Sequence, residues 1–199
     1  MPKIIGITGG ICAGKSLICQ IFKHLNIPVY YADQRAKKLI VNDLELKNKI
    51  INLLGEESYR EDRTYNNQFV AKQVFGNPEL LKSLNEIVHP AVKLDGDLWQ
   101  KDYQNAPFLL YEAALLRGND DRFDKIILVS ADQETRMKRA LKRDPQRNVQ
   151  QIQAIFNAQL SDDIWEKEVD YVIQNNDTDP ILTQVLFLYN ELTKNPASN

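Results

Sequence analysis

Sulfur and imidazole are scarce in this chain: 199 residues hold two cysteines, Cys12 and Cys19, and two histidines, His24 and His89. Two thiols make neither a disulfide framework nor a four-ligand zinc site. The histidines stand far apart without Cys or His neighbours, so they do not read as metal ligands. Long hydrophobic runs are missing as well. None exceeds six residues, whereas a membrane-spanning helix needs about 20. After Lys3 the apolar Ile4, Ile5 and Ile7 give way to polar chemistry with no small-residue cleavage site, which is not a secretion signal. No sign of charge dominates either. Lys and Arg total 25 against 27 Asp and Glu, net charge −2, so the basic footprint of a nucleic-acid-binding protein is absent. There is no internal repeat, and the only biased stretch is the tail 195–199, expected to fray. The expectation is a cytoplasmic protein of a reducing compartment, with no membrane and no nucleic acid among its partners.

What is present is ordinary globular composition, 43% hydrophobic and 26% charged. The length suits one large domain or one domain with an insertion. Short apolar runs alternate with helical periodicity. Strands are expected at 3–8, 29–32, 108–111, 125–130 and 171–173, and helices at 15–25, 133–142 and 149–168. A last helix begins at Asp179-Pro180, an acid cap followed by proline in the first turn. Five strands separated by helices predict an α/β fold with a parallel sheet covered on both faces. One stretch breaks the rhythm. From 34 to 105 every signal is helical, which is too long for a crossover. It is read as a helical subdomain inserted where the strand ends of α/β proteins bind ligands.

The segment Gly9-Gly10-Ile11-Cys12-Ala13-Gly14-Lys15-Ser16 fits the phosphate-loop pattern of Gly, four residues, Gly-Lys-Ser. Glycines let the backbone curl so that amide hydrogens point at phosphate oxygens, and the following helix, opening through Leu17, aims its positive end at the same anion. Lys15 is placed to reach the β- and γ-phosphates of ATP, and Ser16 to coordinate Mg²⁺. The flanking order, strand then loop then amphipathic helix, is the one this chemistry requires.

Three further groups admit two readings each. Asp33, at the end of the second strand, is either a general base near the γ-phosphate or the cap of the helix after it. Glu112 closes the strand 108–111, as an acid that orders Mg²⁺ or as a polar strand end. The stretch from Arg136 to Arg147 holds six basic residues in twelve. Arg136, Arg139 and Arg143 share one helix face, suited to a phosphate-neutralising lid or to a solvated helix end. His89-Pro90 reads as a helix junction.

Together these residues resemble the dephospho-coenzyme A kinase family along nearly the whole chain. The match includes Ile5 to Ser16, Ile27-Pro28-Val29, Ala32-Asp33, Val74-Phe75, Asn77-Pro78, Leu84-Asn85 and Val88-His89-Pro90. It continues through Arg139, Lys142-Arg143-Asp144, Ala158-Gln159-Leu160-Ser161, Asp170 to Ile173, and Asn175-Asn176. The resemblance implies a phosphate-loop kinase core (1–33 and 106–199), a coenzyme A-binding helical insertion at about 34–105 and a lid at about 139–160. It implies transfer of the ATP γ-phosphate to the ribose 3′-hydroxyl of dephospho-CoA, with Mg²⁺ as cofactor. The family's base then matches Asp33, and its lid arginines match Arg139 and Arg143. Departures are Cys12-Ala13 for Gly-Ser, Leu17 for Thr, Tyr31 for the first acid of Asp-Ala-Asp, Asn67 for an Arg, Gly118 for a Glu and Trp165 for an Arg. They fall mostly on the acceptor side. Two rival readings follow: a nucleotide or small-molecule kinase with a changed acceptor, and a nucleotide-binding protein without turnover. In the insertion, Arg35, Lys37 and Lys38 are candidates for the acceptor's pyrophosphate or simply a solvated face.

Overall fold

A computed structural model describes residues 1–116, 120–157, 159 and 166–194. Gly118, Trp165, the motif residues Ala158, Leu160 and Ser161, and the tail 195–199 lie outside the described residues. The five expected strands are present as β1 (Lys3–Thr8), β2 (Val29–Tyr31), β3 (Phe108–Glu112), β4 (Lys125–Ser130) and β5 (Tyr171–Gln174). They form one parallel sheet in the order β2-β3-β1-β4-β5. Parallel strands need both faces covered, which is why Phe108, Leu109 and Leu110 run apolar without alternation and are all buried. Helix α1 (Lys15–His24) packs Ile18, Cys19 and Phe22 onto one face, joined by Val185, Leu188 and Leu192 of the last helix, α8 (Ile181–Lys194).

By internal packing the chain divides into two units, Met1–Tyr31 with Tyr103 onward, and Ala32–Asp102. The second is helical: α2 (Ala32–Asn42), α3 (Leu44–Leu54), a short 3₁₀ turn at Glu56–Ser58, α4 (Asn67–Val74) and α5 (Pro78–Lys101). Each start after α2 is capped by a side chain that accepts from the first turn. Asp43 caps Leu46 N, Asn66 caps Phe69 N, and Asn77 caps Leu80 N with Pro78 just inside. Tyr59 ties this unit together, donating its hydroxyl to Ile40 O at 2.7 Å.

His89-Pro90 is not a junction. Helix α5 runs through it unbroken, with both residues exposed. Proline removes one backbone donor and crowds the preceding turn. On a solvent-facing side the carbonyl it leaves unpaired is open to water.

Candidate active site

The site begins at the carboxyl end of β1, where Gly9 has no freedom to be anything else. A Cβ there would fall 2.2 Å from Val129 O, and its φ is +151°. The loop then curls, with Ala13 N donating to Gly10 O at 3.2 Å, and enters α1 through Gly14 in the left-handed region at φ +102°. Cys12, at φ +60°, is a side-chain-bearing residue in that same region, where an L-residue pays about 1–2 kcal/mol.

Helix α1 has no side-chain cap and no acid in its first turn. Leu17 N turns back to Gly14 O at 3.0 Å, and with no acid beside it the positive end of this helix suits an anion. Lys15 arches over the loop and donates from Nζ to Gly9 O at 2.6 Å. Ser16 and Leu17, the next two residues, are both exposed.

Side chains distant in sequence hold this loop. Asn175, buried just after β5, donates from Nδ2 to Ala13 O at 2.6 Å. A Cβ on Gly14 would meet that same nitrogen at 1.9 Å. Gln159 Oε1 accepts from Ile11 N at 3.0 Å. From α6 (Gln133–Arg143), Arg136 places Nη1 2.0 Å from where a Cβ on Gly10 would stand. Arg136 stands on the basic helix face, and Gln159 and Asn175 lie in the family motifs, but their role as braces had no local signal: Gln159 and Asn175 act across 148 and 162 positions.

Arg139 Nη2 donates to Asp177 at 3.0 Å. Its Nη1 is buried, has no hydrogen-bond acceptor among the described residues, and lies 3.9 Å from the Gly14 Cβ position. A buried guanidinium donor left open beside a phosphate-type loop fits an anionic ligand. Arg143, the last residue of α6, is exposed.

Glu112 ends β3 in register with Ile7 on one side and Tyr31 on the other. Its charge is felt nearby. Burial pushes the Cys19 thiol up to about 12, with Glu112 adding to the rise and Lys15 opposing it. Tyr31 is raised in the same direction by burial, then by Cys19 and Glu112. Asp33 is exposed in the first turn of α2. That helix begins at Ala32, so Asp33 stands inside it rather than at its cap. Among the described residues no three His, Cys, Asp or Glu side chains converge on a metal position. Mg²⁺ does not need them, since it takes one or two protein ligands with phosphates and waters.

Within the helical unit, Arg35 is paired to Asp95, Nε donating to Oδ2 at 2.6 Å. Lys37 and Lys38 are exposed. A pocket of about 280 Å³ lies between α2, α3 and α5, its wall of leucines and Ile87 interrupted by the charged Asp43, Glu45, Lys49 and Asp95. Among the described residues no helix is long and apolar enough to cross a membrane.

Comparison with known proteins gives the family and the fold. The family model described as CoaE, dephospho-CoA kinase, matches residues 3–180. A dephospho-CoA kinase of Bacteroides fragilis is 31% identical over 194 residues, covering 94% of each chain. One of Protochlamydia amoebophila is 34% identical over 197 residues, covering 94% of this chain and 95% of its own. Among solved structures, a Thermus thermophilus protein superposes with a TM-score of 0.83 at 27% identity, covering 96% of this chain and 97% of that one. A Campylobacter jejuni dephospho-CoA kinase gives 0.62 at 22% identity over 98% and 99%, a likeness of fold.

Proposed function

The chain belongs to the dephospho-CoA kinase family of ATP-dependent phosphotransferases, and from that premise we propose how its own residues carry the reaction. The γ-phosphate of ATP passes to the ribose 3′-hydroxyl of dephospho-CoA, giving coenzyme A and ADP. The observation that carries this reading is the uncapped start of α1 beside the open Nη1 of Arg139, an anion site built from the loop and the helix after β4.

In this reading the loop from Gly9 to Leu17 holds the phosphate chain through its amides, and Lys15 swings from Gly9 O to the β- and γ-phosphates. Ser16, with Asp33 and Glu112, would hold Mg²⁺. When bound, the ion neutralises charge on the phosphates. Asp33 accepts the 3′-hydroxyl proton as the oxygen bonds to the γ-phosphorus and the bond to the β-phosphate oxygen breaks. Arg139 and Arg143 stabilise the charge spread over the transferring group.

We assign the acceptor to the insertion at about 34–105, the nucleotide to the core (1–33 and 106–199) and closure to the lid at about 139–160. The pocket of the helical unit, with an aliphatic wall of leucines and Ile87, supports placing the pantetheine arm there. Arg35 already has its carboxylate partner, so Lys37 and Lys38 are the cations left for the pyrophosphate. The protein works in the cytoplasm on a small molecule, without membrane or nucleic acid.

Two variants test the roles. Lys15→Ala should lower turnover at least about 10²-fold, the typical cost of one preorganised electrostatic contact. Asp33→Asn should lower turnover steeply while ATP binding stays within about threefold, since binding and proton transfer separate at this residue. Initial rates and calorimetric titration with ATP on the same preparations decide it. Normal turnover in Asp33→Asn removes the base from Asp33.

A further inference from the structure

The first half of the phosphate loop is gripped by side chains to which the proposed reaction gives no part. Arg136 lies against the loop backbone, its Nη1 2.0 Å from the place a Cβ on Gly10 would take, with Gln159 Oε1 at 3.3 Å from that same point. The guanidinium carbon stands 5.0 Å from the ring centroid of Phe156, on helix α7 (Val149–Asn157). Gln159 accepts from Ile11 N. Ile11 and Cys12 pack on the small cluster of Ala140, Ile152 and Phe156, together with Met137 and Leu141. Three successive loop residues are therefore held by α6, α7 and the residue just past it: Gly10 by a planar cation, Ile11 by a carboxamide, Cys12 by an apolar cluster. The third of these is in the left-handed region, a conformation that persists only where its surroundings impose it.

We infer that Arg136 is a positioning residue: its guanidinium, held between Phe156 and Gly10, keeps the phosphate loop curled before nucleotide arrives. An arginine suits this task because its delocalised plane packs on an aromatic ring while its edge offers fixed donors, which a lysine ammonium cannot reproduce. Preorganised amides bind phosphate without first spending energy on folding the loop, so the effect falls on nucleotide binding more than on the chemical step. The inference rests on the reading of this loop as the ATP site and adds that its shape is set from α6.

Hydrogen exchange of the protein without ligand tests it, on wild type, Arg136→Ala, Arg136→Lys and Phe156→Leu. The peptide covering residues 9–13 should exchange about tenfold faster in all three variants, as expected when a local opening becomes easier. Peptides over β4 and β5 should keep their protection, which reports an intact sheet. With MgATP, KM should rise about tenfold while kcat at saturation stays within about threefold. Unchanged exchange of 9–13 in Arg136→Ala overturns the inference. So does an Arg136→Lys protein that behaves like wild type while Arg136→Ala fails, because charge rather than shape would then be what matters. If Arg136→Ala does not fold, Phe156→Leu leaves the arginine in place and carries the same prediction. Failure of the wild type to phosphorylate dephospho-CoA counts against the proposed function and leaves the exchange prediction standing.

Discussion

Cys19 lies one turn along α1 from Lys15, completely buried, and its thiol is pushed up to about 12 from 9.0, chiefly by burial and secondly by Glu112. The folded state therefore keeps this proton where the unfolded chain loses it. With the native value raised, the contribution is fully present below pH 9 and drains away as pH rises from about 9 toward 12. The decline amounts to roughly 1 kcal/mol per pH unit. Denaturant melts at pH 8, 9 and 10 should show the wild type losing stability over the upper step and Cys19→Ala losing clearly less. Equal slopes would mean that the thiol ionises in the folded protein too. The same residue shows what a sequence conveys. The helix that carries it was legible from periodicity. The protonation of the thiol was not, because that depends chiefly on its burial in the assembled core and secondly on Glu112, 93 positions away on β3.

At the scale of elements, the strands and most helix starts were legible because their causes are local. Apolar runs gave the strands, and the Asp179-Pro180 pair gave the start of α8. Helix α5 was read as two helices because Pro90 ordinarily ends one, and only the exposure of that turn explains why it does not. Of the two readings of Asp33, base or cap, the cap does not hold, because α2 begins at Ala32 and Asp33 stands inside it. The phosphate loop itself was fully legible, whereas its braces Arg136, Gln159 and Asn175 come from α6, the residue past α7 and the end of β5. Among these Asn175 joins two elements most directly, taking Ala13 O with its side chain while its own N–H donates to Ser130 O. Asn175→Ala leaves a buried carbonyl without its donor, a loss of about 1–3 kcal/mol. A melting curve should register that loss, and ATP affinity should fall with it. An unchanged melting temperature and unchanged ATP binding would show that the loop does not depend on this brace.

For the whole molecule, the sheet core contains the loop and the helical unit contains the pocket between α2, α3 and α5. On the nucleotide side the departures are Cys12-Ala13 and Leu17, while Tyr31 and Asn67 lie at the end of β2 and the start of α4. Arg35 looked available for a pyrophosphate in the sequence, and its pairing with Asp95, 60 positions on, was invisible there. Acceptor choice is thus the claim on which the account depends most. The direct test is a coupled ATP-consumption assay with the purified protein and Mg²⁺. It should run on dephospho-CoA, adenosine and a panel of nucleosides, with the phosphorylated position of the product assigned by NMR. The account predicts turnover on dephospho-CoA with the new phosphate on the ribose 3′-oxygen, adenosine slower by at least about 10²-fold because remote binding contacts are lost, and all turnover collapsing in Lys15→Ala. Adenosine or another nucleoside phosphorylated as fast as dephospho-CoA would contradict it.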